Sequence, residues 1–416
     1  MSKIQNPKSK IQNRRRVLFL NGGADLYGAD WVFFHAVTGL DPERFEPLVV
    51  LNNDGPLGER LRECGIEVRT ARLGILRRRH LTVGGMLNRA WQVGRAARAL
   101  AAQIRRERVD VVYSNTCNVA AGALAAGLTR RLHVLHLQEI LVSPALAWKV
   151  LSRYFAAFTH RIIAVSHAVR DHVRAQTPRA AERTVVVHDG IDASRFTPAH
   201  GDTARFREPL GLNEDQCVVG MVGRVNPRKG HEILIEAAAR LAEPLPWLRW
   251  LVVGSAFAGE GAYRDGLIAE VRRRGLGDRV LYRDYDAAIE RIYPALDGLV
   301  SPSPFPESFG LVLVEAMACE VPVIATRHGG PLDIVTDEET GLFVPPGDVE
   351  ALAEAVARLA GDEALRRRMG QAGRERVLRH FTLDQFQSKI NHVLASVVES
   401  RREKRGQDTY FPMLLP

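Results

Sequence analysis

Residues 303–335 read SPFPESFGLVLVEAMACEVPVIATRHGGPLDIV, and this stretch decides the fold. A Pro-rich turn leads into an apolar segment of helical length, and the run VPVIAT (321–326) follows before a double-glycine turn. Short apolar runs bounded by Gly and Pro are typical of buried strands in parallel sheets. With the run DGLVSPS (297–303) before it, the stretch predicts a strand–helix–strand unit.

The same alternation continues along the rest of the chain. Runs rich in Val, Ile and Leu alternate with Ala-, Leu- and Arg-rich segments of helical apolar spacing, such as 90–107 and 231–243. Because the alternation forms two sets, the sequence predicts an α/β protein with two doubly wound Rossmann-like domains. The predicted strands are 16–20, 47–51, 109–115, 132–137, 161–166, 184–188, 217–224, 248–255, 279–285, 297–303, 321–326 and 341–346.

A segment rich in Gly, Asp and Pro, HDGIDASRFTPAHGDTARFREPLG (188–211), separates the two sets of strands. The 416 residues are too many for one ordinary core and suit two domains. The predicted organisation is a disordered basic leader (1–15), an N-terminal domain (16–197), a C-terminal domain (198–382), a last helix that could return to the N-terminal domain (383–404), and a tail (405–416).

The formal net charge of +9 predicts an anionic partner. Nucleic acid, an acidic membrane surface and a phosphorylated small molecule all qualify. The sequence has no zinc-finger, RRM or heptad-linked basic pattern, which argues against specific nucleic-acid binding. The apolar segment 140–158 carries basic interruptions and predicts either a partly buried amphipathic helix or peripheral contact with an anionic membrane.

The cysteines are widely scattered and lack metal-binding spacing; they are Cys64, Cys117, Cys217 and Cys319. The polar start of the chain lacks the apolar core of a signal peptide. Both features favour a reduced cytoplasmic compartment, and the segment 140–158 allows a position on the inner face of the cell membrane.

Glycine follows the first predicted strand, in the turn LNGGADLYGAD (20–30). Gly22, Gly23 and Gly28 would let the backbone approach a ligand closely, and the helix after them would present N–H groups that favour anions. The alternative is a tight turn without a ligand, because any strand-to-helix corner can need glycine.

The stretch GRVNPRKG (223–230), at the end of the first strand of the second set, carries the cations Arg224 and Lys229. Arg224 offers a planar fork and Lys229 a compact charge just before a helix, a combination that suits a diphosphate. The alternative is a solvated loop with incidental charge.

Two acids lie in the opening stretch. Glu307 precedes a helix predicted to begin at residues 308–310, and Glu315 follows about two turns later in an otherwise apolar helix. A carboxylate there needs partners, which sugar hydroxyls would supply. The alternatives are a helix N-cap for Glu307 and pairing with a cation for Glu315. The turn at 329–330 adds a second predicted helix start, so the set suggests a nucleotide diphosphate with a polyol attached.

In these motifs the chain resembles the retaining GT-B glycosyltransferases of family four (glycosyl transferases group 1). The similar motifs are GRVNPRKG, PESFGLVLVEAMACEVPVIAT, GGPLDIV and TGLFVPPGD, with looser similarity in GGADLYGAD, VSHAV and HDGIDASRFTP. The resemblance covers about residues 16–390 and is most specific in the second half. It implies a GT-B fold, in which two Rossmann-like domains face each other across a cleft. The resemblance also implies that the N-terminal domain (16–197) is the acceptor side and that the C-terminal domain (198–382) binds the nucleotide-sugar donor.

The resemblance also implies roles for the matching residues. Arg224 and Lys229 would hold the donor diphosphate, Glu315 would bind the ribose, and Glu307 would contact the transferred sugar as a catalytic residue. Further donor contacts are implied for the backbone of Phe309, Gly310 and Leu311 and for Gly22, Gly23 and Gly28.

His136, at the end of the strand 132–137, is the second catalytic residue that the resemblance implies, near the sugar and acceptor. His133 lies on the opposite face of that strand by its odd spacing. The alternative for His136 is a core histidine without a catalytic role.

The resemblance implies chemistry without a metal or cofactor, in which cations and helix dipoles stabilise the leaving diphosphate. Same-face attack would retain the anomeric configuration, with the leaving phosphate taking the acceptor's proton. The expected substrates are a nucleotide-sugar donor carrying a hexose and a glycan or lipid-linked acceptor, in cell-envelope polysaccharide synthesis.

Two departures and three alternatives accompany the resemblance. Asp189 stands where relatives commonly have Asn, and 283–298 lacks a Gly often found there, which leaves contacts to the base uncertain. The same fold could serve a sugar-nucleotide epimerase or a non-catalytic sugar-nucleotide sensor. A dinucleotide oxidoreductase is disfavoured because no GxGxxG follows the first strand.

Overall fold

The computed structural model describes residues 14–76, 83–140, 145–198, 203–256, 261–285 and 288–408. Its strands are β1 (Arg15–Asn21), β2 (Phe45–Leu51), β3 (Glu67–Thr70), β4 (Val111–Asn115), β5 (Leu132–Leu137), β6 (Arg161–Ala164), β7 (Thr184–Val186), β8 (Cys217–Val222), β9 (Leu248–Val253), β10 (Val280–Arg283), β11 (Gly298–Ser301), β12 (Val323–Thr326) and β13 (Gly341–Val344). The predicted leader and tail lie outside these residues except for 14–15 and 405–408.

Helices connect almost all of these strands. They are α1 (Gly28–Thr38), α2 (Pro56–Glu63), α3 (Val83–Arg106), α4 (Ala120–Thr129), α5 (Ala145–Phe158), α6 (His167–Gln176), α7 (Pro178–Ala181), α8 (Ala204–Arg207), α9 (His231–Leu241), α10 (Gly261–Arg273), α11 (Leu311–Ala318), α12 (Pro331–Ile334), α13 (Val349–Gly361), α14 (Glu363–His380) and α15 (Leu383–Asp408). Short 3-10 turns lie at Glu208–Leu210, Pro227–Lys229, Ile289–Arg291 and Tyr293–Ala295.

The chain forms two compact units. The first contains the residues up to Gly190 together with those from Asp384 onward, and the second contains Ile191–Leu383. Each unit is built on its own parallel sheet. This is the doubly wound architecture that the repeated alternation of apolar runs and helical segments predicts.

The sheet of the first unit has the order β3-β2-β1-β4-β5-β6-β7, and all neighbours are parallel. Successive strands lead outward in one direction from β1 and in the other from β4, so the strand order reverses between them. In doubly wound sheets a crevice opens at this point, outside the carboxyl ends of the strands. The turns after β1, β4 and β5 therefore meet at the edge where a ligand is expected.

The central strands of this sheet are buried on both faces, whereas β3 is not. Val17, Leu18, Phe19 and Leu20 of β1 have no exposed surface, as continuous apolar runs predict. In β3, Glu67 and Thr70 are exposed. The sequence did not predict β3, because an edge strand with one neighbour can carry polar residues and needs no apolar run.

The sheet of the second unit has the order β10-β9-β8-β11-β12-β13 and is also parallel. Its core contains Trp250 and Tyr293, both almost without exposed surface. The strand order reverses between β8 and β11, so the turns after these two strands meet at the carboxyl edge.

The last helix, α15, packs within the first unit. Its apolar residues recur at helical spacing and form a buried stripe of Phe386, Ile390, Leu394 and Val397. The Asn391 amide donates to the Gly39 carbonyl at 2.7 Å, just beyond the end of α1. Among the residues that the structure describes, no helix is both long and apolar enough to cross a bilayer.

Candidate functional site

The loop after β8 folds back against the residues that follow β11. The Asn226 side chain accepts from the Arg228 N–H at 2.9 Å, which closes the turn. Gly230 has φ +82°, and a Cβ atom there would come within 2.2 Å of the Pro302 carbonyl oxygen. Only glycine meets both conditions, so this position holds Lys229 next to the segment after β11.

Lys229 and Glu307 form an ion pair at the carboxyl edge of the second sheet. Lys229 Nζ lies 2.8 Å from Glu307 Oε1, and the Ser303 hydroxyl donates to the same oxygen. Burial by itself would raise the pKa of Glu307, but the Lys229 charge and the hydrogen bonds from Lys229 and Ser303 outweigh it, so the pKa is lowered. Glu307 is therefore ionised at neutral pH.

The double-glycine turn holds the backbone of Glu307 in place. The Gly330 N–H donates to the Glu307 carbonyl at 2.8 Å. Gly329 has φ +72°, and a Cβ atom there would lie 2.5 Å from that same oxygen. The helix predicted at this turn is a single short turn, α12, beginning at Pro331.

Helix α11 begins at Leu311, three residues later than Ser308, where the sequence placed its earliest start. The reason is Gly310, whose φ of +116° is incompatible with helical backbone. The Glu307 carboxylate bonds Lys229 and Ser303, so it does not take the N-cap role weighed from the sequence. Gly310 and Leu311 lie where the first N–H groups of α11 lack partners within the helix.

Glu315 lies one helical turn inside α11 and has a buried carboxyl group. The Tyr293 hydroxyl donates to Glu315 Oε2. Burial raises the pKa of Glu315 to about 7, although the Tyr293 hydrogen bond and the nearby Arg195 charge oppose the rise. Arg195 itself pairs with Glu290 at 2.7 Å, so Glu315 has a cation near it but a phenol as its hydrogen-bond partner.

Three amides link the strand ends of the first unit. The Gln138 amide donates to Asn115 Oδ1 at 2.9 Å, and the Asn115 amide donates to Asn21 Oδ1 at 2.9 Å. The Asn21 amide then donates to Asp30 at 2.8 Å and to the Gly23 carbonyl at 3.2 Å. This chain of hydrogen bonds clamps the ends of β1, β4 and β5 and holds the glycine turn between them.

The glycines of this turn differ in their surroundings. A Cβ atom on Gly22 would lie 2.7 Å from Asn118 Oδ1, so close approach explains this glycine. At Gly28, the first residue of α1, a Cβ atom would meet no atom within 4 Å. Gly28 therefore leaves open space at the start of α1.

His133 and His136 lie on opposite faces of β5, as their spacing predicts. His133 bonds Thr159 at 2.9 Å and Ser114 at 3.0 Å, and burial lowers its pKa to about 3. His136 has no exposed surface. Its Nδ1 bonds the Tyr113 hydroxyl at 2.6 Å, its ring stacks on Phe386, and burial lowers its pKa to about 3. The structure does not bring His136 to the surface, and its catalytic role stays a prediction.

Glu139 is a titratable residue at this edge that the sequence analysis missed. It follows β5 by two residues, and its Oε2 accepts from the Cys117 N–H at 3.3 Å. Burial raises its pKa to about 7. An acid directly after a strand, in the motif HLQEI (136–140), was the available signal.

The predicted residues thus fall into two groups. In the second unit, Lys229 and Glu307 are in direct contact, and Arg224 lies two residues beyond β8 in the loop that carries Lys229. Phe309 is buried with its ring edge against Phe381 and so anchors the turn before Gly310. The first unit holds the three glycines and the histidine. The roles of these residues stay predictions.

Two parallel doubly wound units, each with polar residues at the carboxyl ends of its strands, are the architecture of the GT-B class of protein, which the solved structures below share. The family model Glycosyl transferases group 1 matches residues 202–376, and Glycosyltransferase Family 4 matches residues 28–195. A D-inositol 3-phosphate glycosyltransferase of Segniliparus rotundus is 32% identical over 357 residues, which are 82% of this chain and 75% of the relative. The chain belongs to the GT-B glycosyltransferases of family four.

A further relative is similar in sequence, and solved structures are similar in fold. A D-inositol 3-phosphate glycosyltransferase of Kribbella flavida is 39% identical over 196 residues, and the match spans about half of its length. Anabaena HepE, solved in complex with UDP and glucose, has a TM-score of 0.78 at 27% identity and covers 93% of this chain and 100% of its own. Sucrose-phosphate synthase of Thermosynechococcus elongatus, at 23% identity, 93% and 100% coverage and a TM-score of 0.76, shares the fold.

Proposed function

We propose that this glycosyltransferase moves a hexose from a nucleotide diphosphate-sugar to a glycan or lipid-linked acceptor with retention of anomeric configuration. The single observation that carries the proposal is the Lys229–Glu307 pair, in which a cation suited to a diphosphate touches an ionised acid suited to sugar hydroxyls. The Anabaena HepE complexes with UDP, glucose and UDP-glucose support a donor of this chemical class.

In this proposal Arg224 and Lys229 stabilise the charge that develops on the leaving diphosphate, as do the N–H groups in the first turn of α11. Glu315 accepts hydrogen bonds from the ribose. Glu307 orients the transferred sugar and stabilises its positive charge without forming a covalent bond. The acceptor attacks from the face that the diphosphate leaves, and the diphosphate takes the proton of the acceptor hydroxyl.

A donor panel tests this proposal. Purified protein is incubated with UDP-, GDP-, ADP- and dTDP-glucose, with and without EDTA, and nucleotide release and thermal shift are recorded. The expected result is release of one nucleotide that persists in EDTA and is lost in Glu307→Gln. Glu354→Gln, which changes an exposed carboxylate on α13, is the matched control and should keep full release.

The panel also separates the alternatives. Binding without release, even with added glycan acceptors, would favour a sugar-nucleotide sensor. Release together with an epimerised free sugar would favour an epimerase. Retention is read from the anomeric proton of the product by NMR, and a product of inverted configuration or a trapped glycosyl–Glu307 adduct would overturn the proposed mechanism.

A further inference from the structure

Both side-chain donors to the Glu307 carboxylate bond the same oxygen. Lys229 Nζ lies 2.8 Å from Oε1, and the Ser303 hydroxyl donates to Oε1 as well. Oε2 accepts no hydrogen bond from the residues that the structure describes, and it is not an enclosed atom. The two oxygens therefore differ in their tasks. Oε1 fixes the carboxylate, and Oε2 remains for a ligand that donates a hydrogen bond.

The Ser303 side chain is held more firmly than the Lys229 side chain. Ser303 is 1% exposed, whereas the Lys229 side chain is 30% exposed and has a flexible four-carbon stem. The turn between Ser303 and Glu307 contains Pro304 and Pro306, whose rings fix their φ angles. A short hydroxyl on this rigid turn can keep its bond to Glu307 while the lysine moves to a ligand.

Two further side chains hold the backbone of Ser303 in place. The Thr326 hydroxyl donates to the Ser303 carbonyl at 3.0 Å, and His328 Nε2 lies 2.9 Å from the same oxygen. His328 Nε2 also lies 3.0 Å from Thr326 Oγ1. Because a carbonyl oxygen only accepts, His328 Nε2 carries a proton and donates. The end of β12 is thereby linked to the residue that bonds Glu307.

The charge balance shows why Glu307 needs more than one partner. Burial raises the pKa of Glu307, and the Lys229 charge is the largest of the effects that lower it. The hydrogen bonds from Lys229 and Ser303 and the His328 charge lower this pKa further. A donor diphosphate would attract the Lys229 ammonium away from the carboxylate. Ser303 and His328 would then be the groups that still favour the ionised form of Glu307.

We propose that Ser303 and His328 are positioning residues for Glu307. They keep Oε1 in place when Lys229 turns to the donor diphosphate, so that Oε2 contacts a hydroxyl group of the transferred hexose. This inference rests on the proposed function and deepens it. Ser303 acts on Glu307 directly, and His328 acts through the Ser303 carbonyl. Because a carboxylate oxygen only accepts, the hexose must present a hydroxyl group to Oε2.

Steady-state turnover by the full chain tests this inference. The probes are the sugar nucleotides of the donor panel, and the variants are compared on the one that the wild-type protein turns over. Ser303→Ala should lower kcat for nucleotide release about 10- to 100-fold, as expected for the loss of one charge-assisted hydrogen bond. Affinity for the nucleotide diphosphate without its sugar should stay within about threefold, because Arg224 and Lys229 are unchanged.

Two His328 variants separate positioning from general stability. His328→Gln keeps an N–H near the place of Nε2 and should retain kcat within about threefold. His328→Leu removes the donor and should lower kcat at least about fivefold. His392→Leu, at an exposed position on α15, is the matched control and should leave kcat unchanged. Melting temperatures measured alongside establish that each variant is folded in the assay.

A pH profile gives a readout that lost packing would not move. Lys229, Ser303 and His328 are the groups that favour the ionised form of Glu307. Loss of the Ser303 hydrogen bond should raise the pKa of Glu307 in the donor complex, so kcat should begin to fall at a higher pH on acidification. The acidic limb of the Ser303→Ala profile should lie at least about 0.5 pH unit above the wild-type limb.

The inference is overturned if Ser303→Ala keeps its turnover, weakens nucleotide binding as much as turnover, or leaves the acidic limb in place. It is also overturned if His328→Gln loses as much turnover as His328→Leu. If Ser303→Ala does not fold, the comparison of the two His328 variants decides the outcome. Failure of the proposed function would look different, because the wild-type protein would then release nucleotide from no donor of the panel, and the inference would fall with it.

Discussion

Lys229 Nζ lies 2.8 Å from Glu307 Oε1, although 78 positions separate the two residues in the chain. The pair joins the turn after β8 to the turn after β11, on either side of the reversal in strand order. The two side chains are 30% and 12% exposed, so water screens their attraction only in part. A donor diphosphate would have to share Lys229 with Glu307, which couples diphosphate binding to the position of the acid.

Lys229→Met should weaken UDP binding about 10- to 100-fold, because a charge-assisted contact is worth about 1.5–3 kcal/mol. The same change leaves the buried Glu307 carboxylate without its cation, with only the Ser303 hydroxyl as side-chain donor, so the second unit should also melt at a lower temperature. Isothermal titration with UDP and calorimetric melting measure the two effects.

The pH dependence of Lys229→Met follows from the lowered pKa of Glu307. A lowered folded-state pKa stabilises the fold above the unfolded-state pKa, and this contribution disappears as the pH falls through the folded-state pKa. The difference in melting temperature between wild type and variant should therefore be largest near neutral pH and shrink in acid. Lys389→Ala, at an exposed position on α15, is the control and should change neither quantity.

Gly329→Ala should displace Glu307 and lower donor turnover at least tenfold. The new Cβ atom would lie 2.5 Å from the Glu307 carbonyl oxygen at φ +72°. Gly347→Ala is the matched control, because Gly347 has φ +78° with open space around the Cβ position. It should cost only about 1 kcal/mol of backbone strain and leave turnover unchanged. Equal turnover in the two variants would mean that contact with Glu307 is unimportant.

Tyr293→Phe should weaken UDP binding at pH 7 and move its pH dependence upward. The variant removes a hydrogen bond that lowers the pKa of Glu315, so that pKa should rise above about 7 and less carboxylate would be ionised to accept from the ribose. UDP affinity between pH 6 and 9 measures the shift. Tyr263→Phe removes a similar bond to Glu232 at an exposed site and controls for titration of the UDP phosphate. Identical pH profiles for both variants would contradict a ribose-binding role for Glu315.

Asp189→Asn should stabilise the protein in alkaline but not in acidic solution. Burial raises the pKa of Asp189 to about 8, so the folded state retains a proton that the unfolded chain releases near pH 4. Stability therefore falls as the pH rises from about 4 to about 8, and Asn removes this loss. Melting temperatures at pH 5 and pH 9 measure the difference, with the exposed Asp171→Asn as the control. An equal gain in melting temperature at both pH values would show that the charge of Asp189 is not the cause.

The sequence by itself was sufficient to predict the class of fold. Continuous apolar strands such as β1 and β8 can be recognised because burial on both faces demands apolar residues at every position. The edge strand β3 and the late start of α11 were not recognised. Because β3 is partly exposed to solvent, it does not need an apolar residue at every position. The left-handed backbone of Gly310 depends on the residues that surround it.

For the candidate site, the sequence determined which residues lie after strand ends, among them Lys229, Glu307 and Glu139, since chain order alone sets that position. Only the tertiary structure decided which of them touch and which are enclosed. It paired Lys229 with Glu307, covered His136 with Phe386 from α15, and buried the Glu139 carboxyl group beside the Cys117 N–H. These outcomes depend on strand order and on packing between distant segments, and the pKa values follow from the resulting burial and charge rather than from residue type.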